Sequence, residues 1–230
     1  MKLSIIIPCF NEEKTIIPLL KKVINNAYSN KEIIVIDDRS VDNTNNLIVK
    51  EFGNNKDFKI LRHEKNKGKG ACINSGLKVA SGDIVLIQDA DLEYDPSEHI
   101  KMIKPILDNK ADVVYGSRFS GGQPVRAMFY WHRLGNFLLT NLSNMFTNLN
   151  LTDMETGFKA IRKNLFNDIK IKERRFGFEP EITIKLAKKK CRFFEIGVSY
   201  NGRSYEEGKK ITWKDGFIAV YCILRYSIFD

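Results

Sequence analysis

Three apolar runs in the first half of the chain each break off into acidic or polar residues, and this restricts the fold more than any other feature. Leu3-Ser4-Ile5-Ile6-Ile7 runs into Pro8-Cys9-Phe10-Asn11-Glu12, Glu32 to Ile36 into Asp37-Asp38-Arg39-Ser40, and Asp83 to Ile87 into Gln88-Asp89-Ala90-Asp91. Short β-branched runs of this kind predict buried strands. Helical spacing separates them at Thr15 to Ala27, at Asp42 to Phe52 with Asp42 as N-cap, at Gly70 to Ala80 and at Ser97 to Leu107. Further strands are expected at Phe58 to Leu61 and Asp112 to Tyr115. The alternation predicts βαβ crossovers, hence an α/β fold with a Rossmann-like, mostly parallel central sheet flanked by helices. Ligands of such sheets bind beyond the carboxyl ends of the strands, which is where the three clusters fall.

The second half is less regular. A loop is expected at Ser120 to Pro124, helices at Tyr130 to Phe146 and Phe178 to Lys189, and a strand at Phe193 to Tyr200. The stretch from Asn201 to Lys210 is polar, and Trp213 to Phe229 reads as a helix that is apolar nearly all round. With no repeat and no linker, the expected organisation is one domain over residues 1–210 and a C-terminal amphipathic or apolar helical extension over 211–230. No run reaches the roughly 18 apolar residues of a membrane-spanning helix, and the apolar start, stopped by Pro8, is no signal peptide. Four cysteines (Cys9, Cys72, Cys191, Cys222) without a CxxC argue against a zinc site and fit a reducing compartment. A cytoplasmic protein is expected, with Lys209, Lys210 and Lys214 beside the apolar tail offering a peripheral contact to a membrane surface.

The formal net charge of +9 is unevenly placed: residues 1–116 balance 17 Lys+Arg against 17 Asp+Glu, whereas residues 117–230 hold 20 against 11. Either the second half meets an anionic partner (a phosphate, a membrane surface, a nucleic acid) or the lysines serve solubility. No RRM, KH or zinc-finger signature is present, and a nucleic-acid-binding module would leave the acidic strand ends without purpose.

Carboxylates gathered at one sheet edge repel one another, and a divalent cation bridging a polyphosphate would compensate them; Mg²⁺ and Mn²⁺ prefer oxygen ligands. Asp89-x-Asp91 following a strand can aim two carboxylates at one ion, and Glu93 can add a further oxygen; a turn is the alternative reading of Asp-x-Asp by itself. Lys67-Gly68-Lys69-Gly70 lacks the third glycine of a dinucleotide site and follows the third strand rather than the first. Its glycines are better suited to a close approach or a helix start, with Lys67 and Lys69 near a ligand or in solvent. His63 and His99 read as surface residues, and His132 lies beside Arg133.

Pro8-x-x-Asn11-Glu12, Val35-Ile36-Asp37-Asp38-x-Ser40, Asn66-Lys67-Gly68-Lys69-Gly70, Asp83 and Asp89-Ala90-Asp91, continued by Gly116-Ser117-Arg118 and Thr156-Gly157-Phe158, come in the order of inverting family 2 glycosyltransferases. The chain resembles their dolichol-phosphate mannosyltransferase-like branch, that is, polyprenyl-phosphate glycosyltransferases, without that branch's optional transmembrane tail. The resemblance implies a GT-A fold, a nucleoside-diphosphate sugar donor of the GDP-mannose or UDP-glucose type, Mg²⁺ or Mn²⁺, and a lipid-phosphate acceptor. Carried onto these positions, Pro8, Asn11, Glu12, Asp38, Ser40, Gly68, Asp89 and Ala90 would border the donor nucleotide. Asp89, Asp91 and Glu93 would hold the metal. Arg118, Arg133 and Arg203 would hold the acceptor phosphate, with Asp91 and Arg118 closest to the chemistry. For Asp38 and Ser40 a helix-capping turn before Asp42 remains a second reading, and for any single arginine a surface ion pair.

A sugar-hydroxyl acceptor, as in cell-surface polysaccharide synthesis, would need a base, for which Asp153 and Glu155 are the nearest acids; a phosphate acceptor is already an anion and needs none. Leu151 to Gly157 departs from the adjacent acidic pair of sugar-acceptor enzymes, which favours the phosphate. On that reading Asp153→Asn and Glu155→Gln each leave the chemical step within an order of magnitude, provided the fold is intact. Glu179 and Glu181 either position the acceptor region or cap a helix.

Overall fold

The computed structural model describes residues 1–204, 206 and 213–229, the side chains of 213 and 214 excepted. Lys209, Lys210 and the Lys214 side chain, expected to touch a membrane surface, lie outside the described residues. The elements follow in the order β1 (Leu3–Cys9), α1 (Ile16–Ile24), β2 (Lys31–Asp37), α2 (Thr44–Phe52), β3 (Phe58–Arg62), α3 (Lys69–Val79), β4 (Ile84–Ile87), α4 (His99–Leu107), β5 (Val113–Ser117), α5 (Tyr130–Thr147), β6 (Lys159–Arg162), α6 (Phe178–Lys188), β7 (Phe193–Gly197) and α7 (Trp213–Ile228). They build a seven-stranded sheet of order β3-β2-β1-β4-β6-β5-β7.

The pairs β1·β2, β1·β4, β2·β3 and β5·β7 are parallel, as the alternation predicts. Ile5, Ile6 and Ile7, Ile33 to Ile36, and Ile84 to Ile87 are buried on both faces of the sheet, which is why those runs are continuously apolar. Each such side chain is worth about 1.5–3 kcal/mol when fully buried. One core packs under α1 and α4, the other under α3 and α6. Register aligns the ends that matter: Pro8 lies opposite Ile36, Cys9 opposite Asp37, and Ile6 opposite Ile87. The loops after β1, β2 and β4 therefore open on one edge.

β6 is the element the sequence pattern does not announce. Only four residues long and bracketed by charge, Lys159-Ala160-Ile161-Arg162 inserts antiparallel between β4 and β5. Lys159 is fully buried, its ammonium donating to the carbonyls of Met154 and Thr156 and lying 4.2 Å from the centre of the Tyr115 ring. Because β6 runs backwards, the segment before it, from Asp153 to Phe158, reaches the same edge as the three acidic loops.

Two local readings change. α2 begins at Thr44, and Asp42 caps it from outside, accepting from the Thr44 amide at 3.0 Å and from its hydroxyl at 2.6 Å. His63 and His99, expected at the surface, are both buried. His99 Nε2 lies 2.9 Å from Gln88 Oε1, and His99 Nδ1 lies 2.7 Å from Asn26 Nδ2. The C-terminal α7 packs on α5 and α6 through Ala219, Cys222, Ile223 and Tyr226. No described helix is long and apolar enough to cross a membrane.

Candidate active site

The loops after β1, β2 and β4 and the start of α3 form one wall of a cavity of about 910 Å³, within the range of ligand pockets. Pro8, Glu12, Asp38, Gly68, Asp89, Ala90, Asp91, Glu93, Arg118 and Arg203 line it, so most of the residues singled out in the sequence meet there. Asn11 and Ser40 do not. The Ser40 hydroxyl accepts from the Asn11 amide at 2.9 Å, and the Asn11 side-chain oxygen accepts from the Val41 amide at 2.9 Å. These two residues tie the β1 and β2 loops together. Arg133 stands exposed at the head of α5, 5.8 Å from the centre of the Phe119 ring.

Asp38 is a buried organiser. Its carboxylate accepts from the amides of Lys67 at 2.9 Å and Gly68 at 2.6 Å, and pairs with His63 Nδ1 at 2.7 Å. His63 in turn meets the Ser75 hydroxyl at 2.9 Å, and Cys72 Sγ lies 3.9 Å from His63 Nδ1. Asp38, His63 and Cys72 cluster tightly enough to hold an ion, but a thiol is a poor ligand for Mg²⁺ or Mn²⁺. The Gly68 turn that Asp38 holds has φ of +92°, and a Cβ there would stand 2.6 Å from the Arg174 carbonyl. Both facts require glycine.

Lys69, which could equally have pointed into solvent, is drawn inward. Its ammonium bridges Asp89 at 2.8 Å and Glu179 at 3.0 Å. Burial alone would lower its pKa, but the two carboxylates hold it well above the ordinary lysine range. Asp89 is also met from behind, since a Cβ on Gly157 would lie 2.0 Å from Asp89 Oδ2. Thr156 and Gly157 are pinned by hydrogen bonds to the Gly116 carbonyl and from Gly157 N to the Tyr94 hydroxyl.

Asp91 sits in an excess of negative charge. Burial, then Asp89 and Glu93, push it up to about 7 against the pull of Arg203. Arg203 donates to Glu12 at 3.1 and 3.2 Å and to Asp91 at 3.0 Å; its guanidinium is thus held by the carboxylates beside the expected metal site. Glu93, expected among the metal ligands, has both oxygens engaged by protein donors: Oε1 accepts from the Arg203 amide at 2.7 Å and Oε2 from the Tyr200 hydroxyl at 2.8 Å. It anchors the 200–203 segment to the β4 loop.

Arg118 follows β5 and lines the same cavity. Its Nε and Nη2 donate to the two oxygens of Asp153, both at 2.6 Å, and Nη2 also reaches Asn136 at 3.2 Å. Asp153 is completely buried. That bidentate lock engages both oxygens of Asp153, which speaks against a base there, and it makes Asp153→Asn a harsher change than the sequence suggests, because the side chain holds Arg118 in place. Glu181 is likewise structural, accepting from the amides of Lys172 and Glu173, while Glu179 faces the cavity. From α5, α7 and the residues before α5 the cavity takes apolar lining from Met128, Trp131, Leu139 and Ala219, with His132, Asn136 and Asp215 among them. Sequence reasoning missed Tyr94, which holds Gly157, Tyr200, which holds Glu93, and Arg175, which lines the cavity; their only signal was proximity to motifs.

Residues 4–170 match the model of the family described as glycosyl transferase family 2. The chain is 31% identical over 222 residues to a dolichol-phosphate mannosyltransferase of Pyrococcus furiosus, covering 92% of this chain but only 61% of that protein. It is 29% identical over 242 residues to a UDP-N-acetylglucosamine–dolichyl-phosphate N-acetylglucosaminyltransferase of Methanococcus voltae, covering 97% and 95% of the two chains. The fold is that of glucosyl-3-phosphoglycerate synthase from Mycobacterium tuberculosis, solved with Mn²⁺, UDP and its product: the TM-score is 0.75 at 18% identity, over 98% of this chain and 80% of that one. The loops that gather carboxylates at one sheet edge thus lie inside a matched family domain, and the chain belongs to glycosyltransferase family 2, a GT-A-fold enzyme that takes its sugar from a nucleotide donor.

Proposed function

We propose that the enzyme transfers a hexose, with inversion and with a divalent metal, from a nucleoside diphosphate to a polyprenyl (dolichyl) phosphate or another membrane lipid. The observation that carries this reading is that one cavity is lined by Asp89 and Asp91, by Arg118, and by apolar side chains of α5 and α7 (Trp131, Leu139 and Ala219). A sugar nucleotide needs the first of these, an anionic headgroup the second and a hydrocarbon chain the third. The names of the Pyrococcus and Methanococcus relatives agree with a dolichyl-phosphate acceptor.

Pro8, Glu12, Asp38, Gly68 and Ala90 would border the nucleotide, Asp38 by shaping the Gly68 turn. Asp89 and Asp91 offer hard oxygen ligands in surroundings that already call for positive charge, so the residues fit Mg²⁺ or Mn²⁺. Relatives of this fold were solved with Mn²⁺ or Mg²⁺ and UDP. A bound ion would supply charge stabilisation to the departing diphosphate. Arg118 keeps Nη1 for an acceptor phosphate while Asp153 fixes the plane of the guanidinium. Arg203 lines the same cavity but is engaged by Glu12 and Asp91, so it would have to exchange those partners to reach an acceptor phosphate, and Arg133, exposed at the head of α5, would reach it from outside the lining. The phosphate oxygen attacks the anomeric carbon in line, opposite the leaving group, and needs no base.

Exposed Phe129 at the N-cap of α5, Trp131 and Phe137 on α5, Phe217 and Tyr221 on α7 and Phe229 just after it support a peripheral membrane contact on the side of α5 and α7. The test is a donor screen with Mn²⁺, with and without a short polyprenyl phosphate, reading sugar transfer and nucleoside-diphosphate release. Lipid-dependent transfer, abolished by EDTA, is expected. Transfer to a sugar hydroxyl with no response to the lipid would instead establish the polysaccharide-type reaction.

A further inference from the structure

Two buried carboxyl oxygens on the cavity wall have no hydrogen-bond partner among the described residues: Glu155 Oε1 and Glu179 Oε2. Buried polar atoms are almost always paired, so two orphans on one wall call for a ligand. Their position can be read from the chain. Two residues before Glu155, Asp153 grips Arg118 at 2.6 Å; two residues after it, Gly157 abuts Asp89. Glu179 is one lysine away from Asp89, through Lys69. Both orphans therefore belong to the stretch between the donor carboxylates and the acceptor arginine.

We propose that Glu155, together with Glu179, recognises hydroxyl groups of the transferred hexose and so sets which sugar is accepted. This rests on the nucleotide-sugar reading above and names the side chains that read the sugar. The chemistry of the orphans favours a polyol over a phosphate. Glu179, paired with Lys69 through its other oxygen, offers an acceptor, to which a phosphate brings no donor, whereas a sugar hydroxyl does. Burial, then the Glu179 carboxylate, push Glu155 up to about 8 over the opposing pull of Lys159 and Arg118, with Asp153 adding to the push. That push favours the protonated carboxyl, which donates and accepts as a hydroxyl does. Its side chain thus complements a ligand of the same kind without adding charge next to the acceptor phosphate.

The experiment separates the sugar from the nucleotide. Calorimetry on the full chain with Mn²⁺ measures UDP and GDP, then UDP-glucose, UDP-N-acetylglucosamine and GDP-mannose. Glu155→Ala is expected to weaken the hexose-bearing donor by about three- to tenfold and to leave the parent diphosphate unchanged. Glu155→Gln, which keeps a donor and an acceptor, should bind the hexose donor like the wild type. A donor lacking the contacted hydroxyl should lose affinity for the wild type and lose nothing further with Glu155→Ala. If the alanine variant does not fold, Glu155→Met removes the same hydrogen bonds with the volume kept. Equal effects on diphosphate and hexose donor, or none on either, overturn the inference and leave the nucleotide-sugar reading standing. So does a Glu155→Gln enzyme that binds donor normally but transfers ~10²-fold more slowly, which would make Glu155 a base. Failure of the wild type to bind any of the nucleotides would overturn both.

Discussion

Gly157→Ala isolates the geometry of Asp89 from its charge. Gly157 has no positive φ, so alanine is allowed by the backbone there; what it lacks is space. The added Cβ would stand 2.0 Å from Asp89 Oδ2 and 3.0 Å from Asp89 Cγ and Lys69 Nζ. Relief to an ordinary contact near ~3.5 Å requires the carboxylate to move by more than about 1 Å. The backbone of 156–157 cannot retreat easily, because the Thr156 hydroxyl donates to the Gly116 carbonyl at 2.5 Å. Asp89 must therefore rotate away from Lys69, losing its 2.8 Å pair. A terminal carboxylate moves cheaply, so the stability cost falls at the low end of the ~1–3 kcal/mol for overpacking. A catalytic misplacement of about 1 Å, by contrast, costs on the order of 10²-fold in rate. Chemical denaturation, Mn²⁺ binding followed by electron paramagnetic resonance in the presence of nucleoside diphosphate, and single-turnover transfer measure the three quantities. A folded variant with wild-type transfer and wild-type Mn²⁺ affinity would remove Asp89 from the reaction centre.

Asp153→Asn should do more harm than its conservative chemistry suggests: it breaks a buried bidentate pair with Arg118, with a loss of about 3 kcal/mol in denaturant unfolding and a fall in acceptor-dependent transfer well beyond tenfold; an unchanged variant refutes the lock. His99 is held neutral, because burial, with Lys31 adding, lowers it to about 3, against ~6.5 in the unfolded chain. Its stabilisation is present above pH ~6.5 and is lost as pH falls towards the native value, so at pH ~4.5 about 2–3 kcal/mol should be gone. His99→Gln should flatten that part of the stability profile, and an unaltered slope would count against it. Gly135 lies inside α5, and a Cβ added there would meet nothing within 4 Å, so Gly135→Ala should raise stability by up to ~1 kcal/mol; a lower melting temperature would contradict the open space.

The apolar runs and their acidic ends determined the parallel part of the sheet and its binding edge, because a strand buried on both faces must be apolar throughout and its polar loop can only lie beyond it. Asp38, Asp89 and Asp91 were legible for that reason, and Arg118 because it follows β5 at the same edge. Residues whose meaning depends on distant partners were not legible. Lys159-Ala160-Ile161-Arg162 carries no periodicity, and only the gap between β4 and β5 makes it a strand. Lys69 looks like any surface lysine until Asp89 and Glu179, 20 and 110 positions further along the chain, close around it. Asp153 and Glu155 are two residues apart with the same functional group; tertiary packing places one against an arginine and the other among buried carboxyls. Sequence spacing carries the local, periodic part of burial, whereas the charge state and role of a buried carboxyl are set by neighbours that only the folded chain supplies.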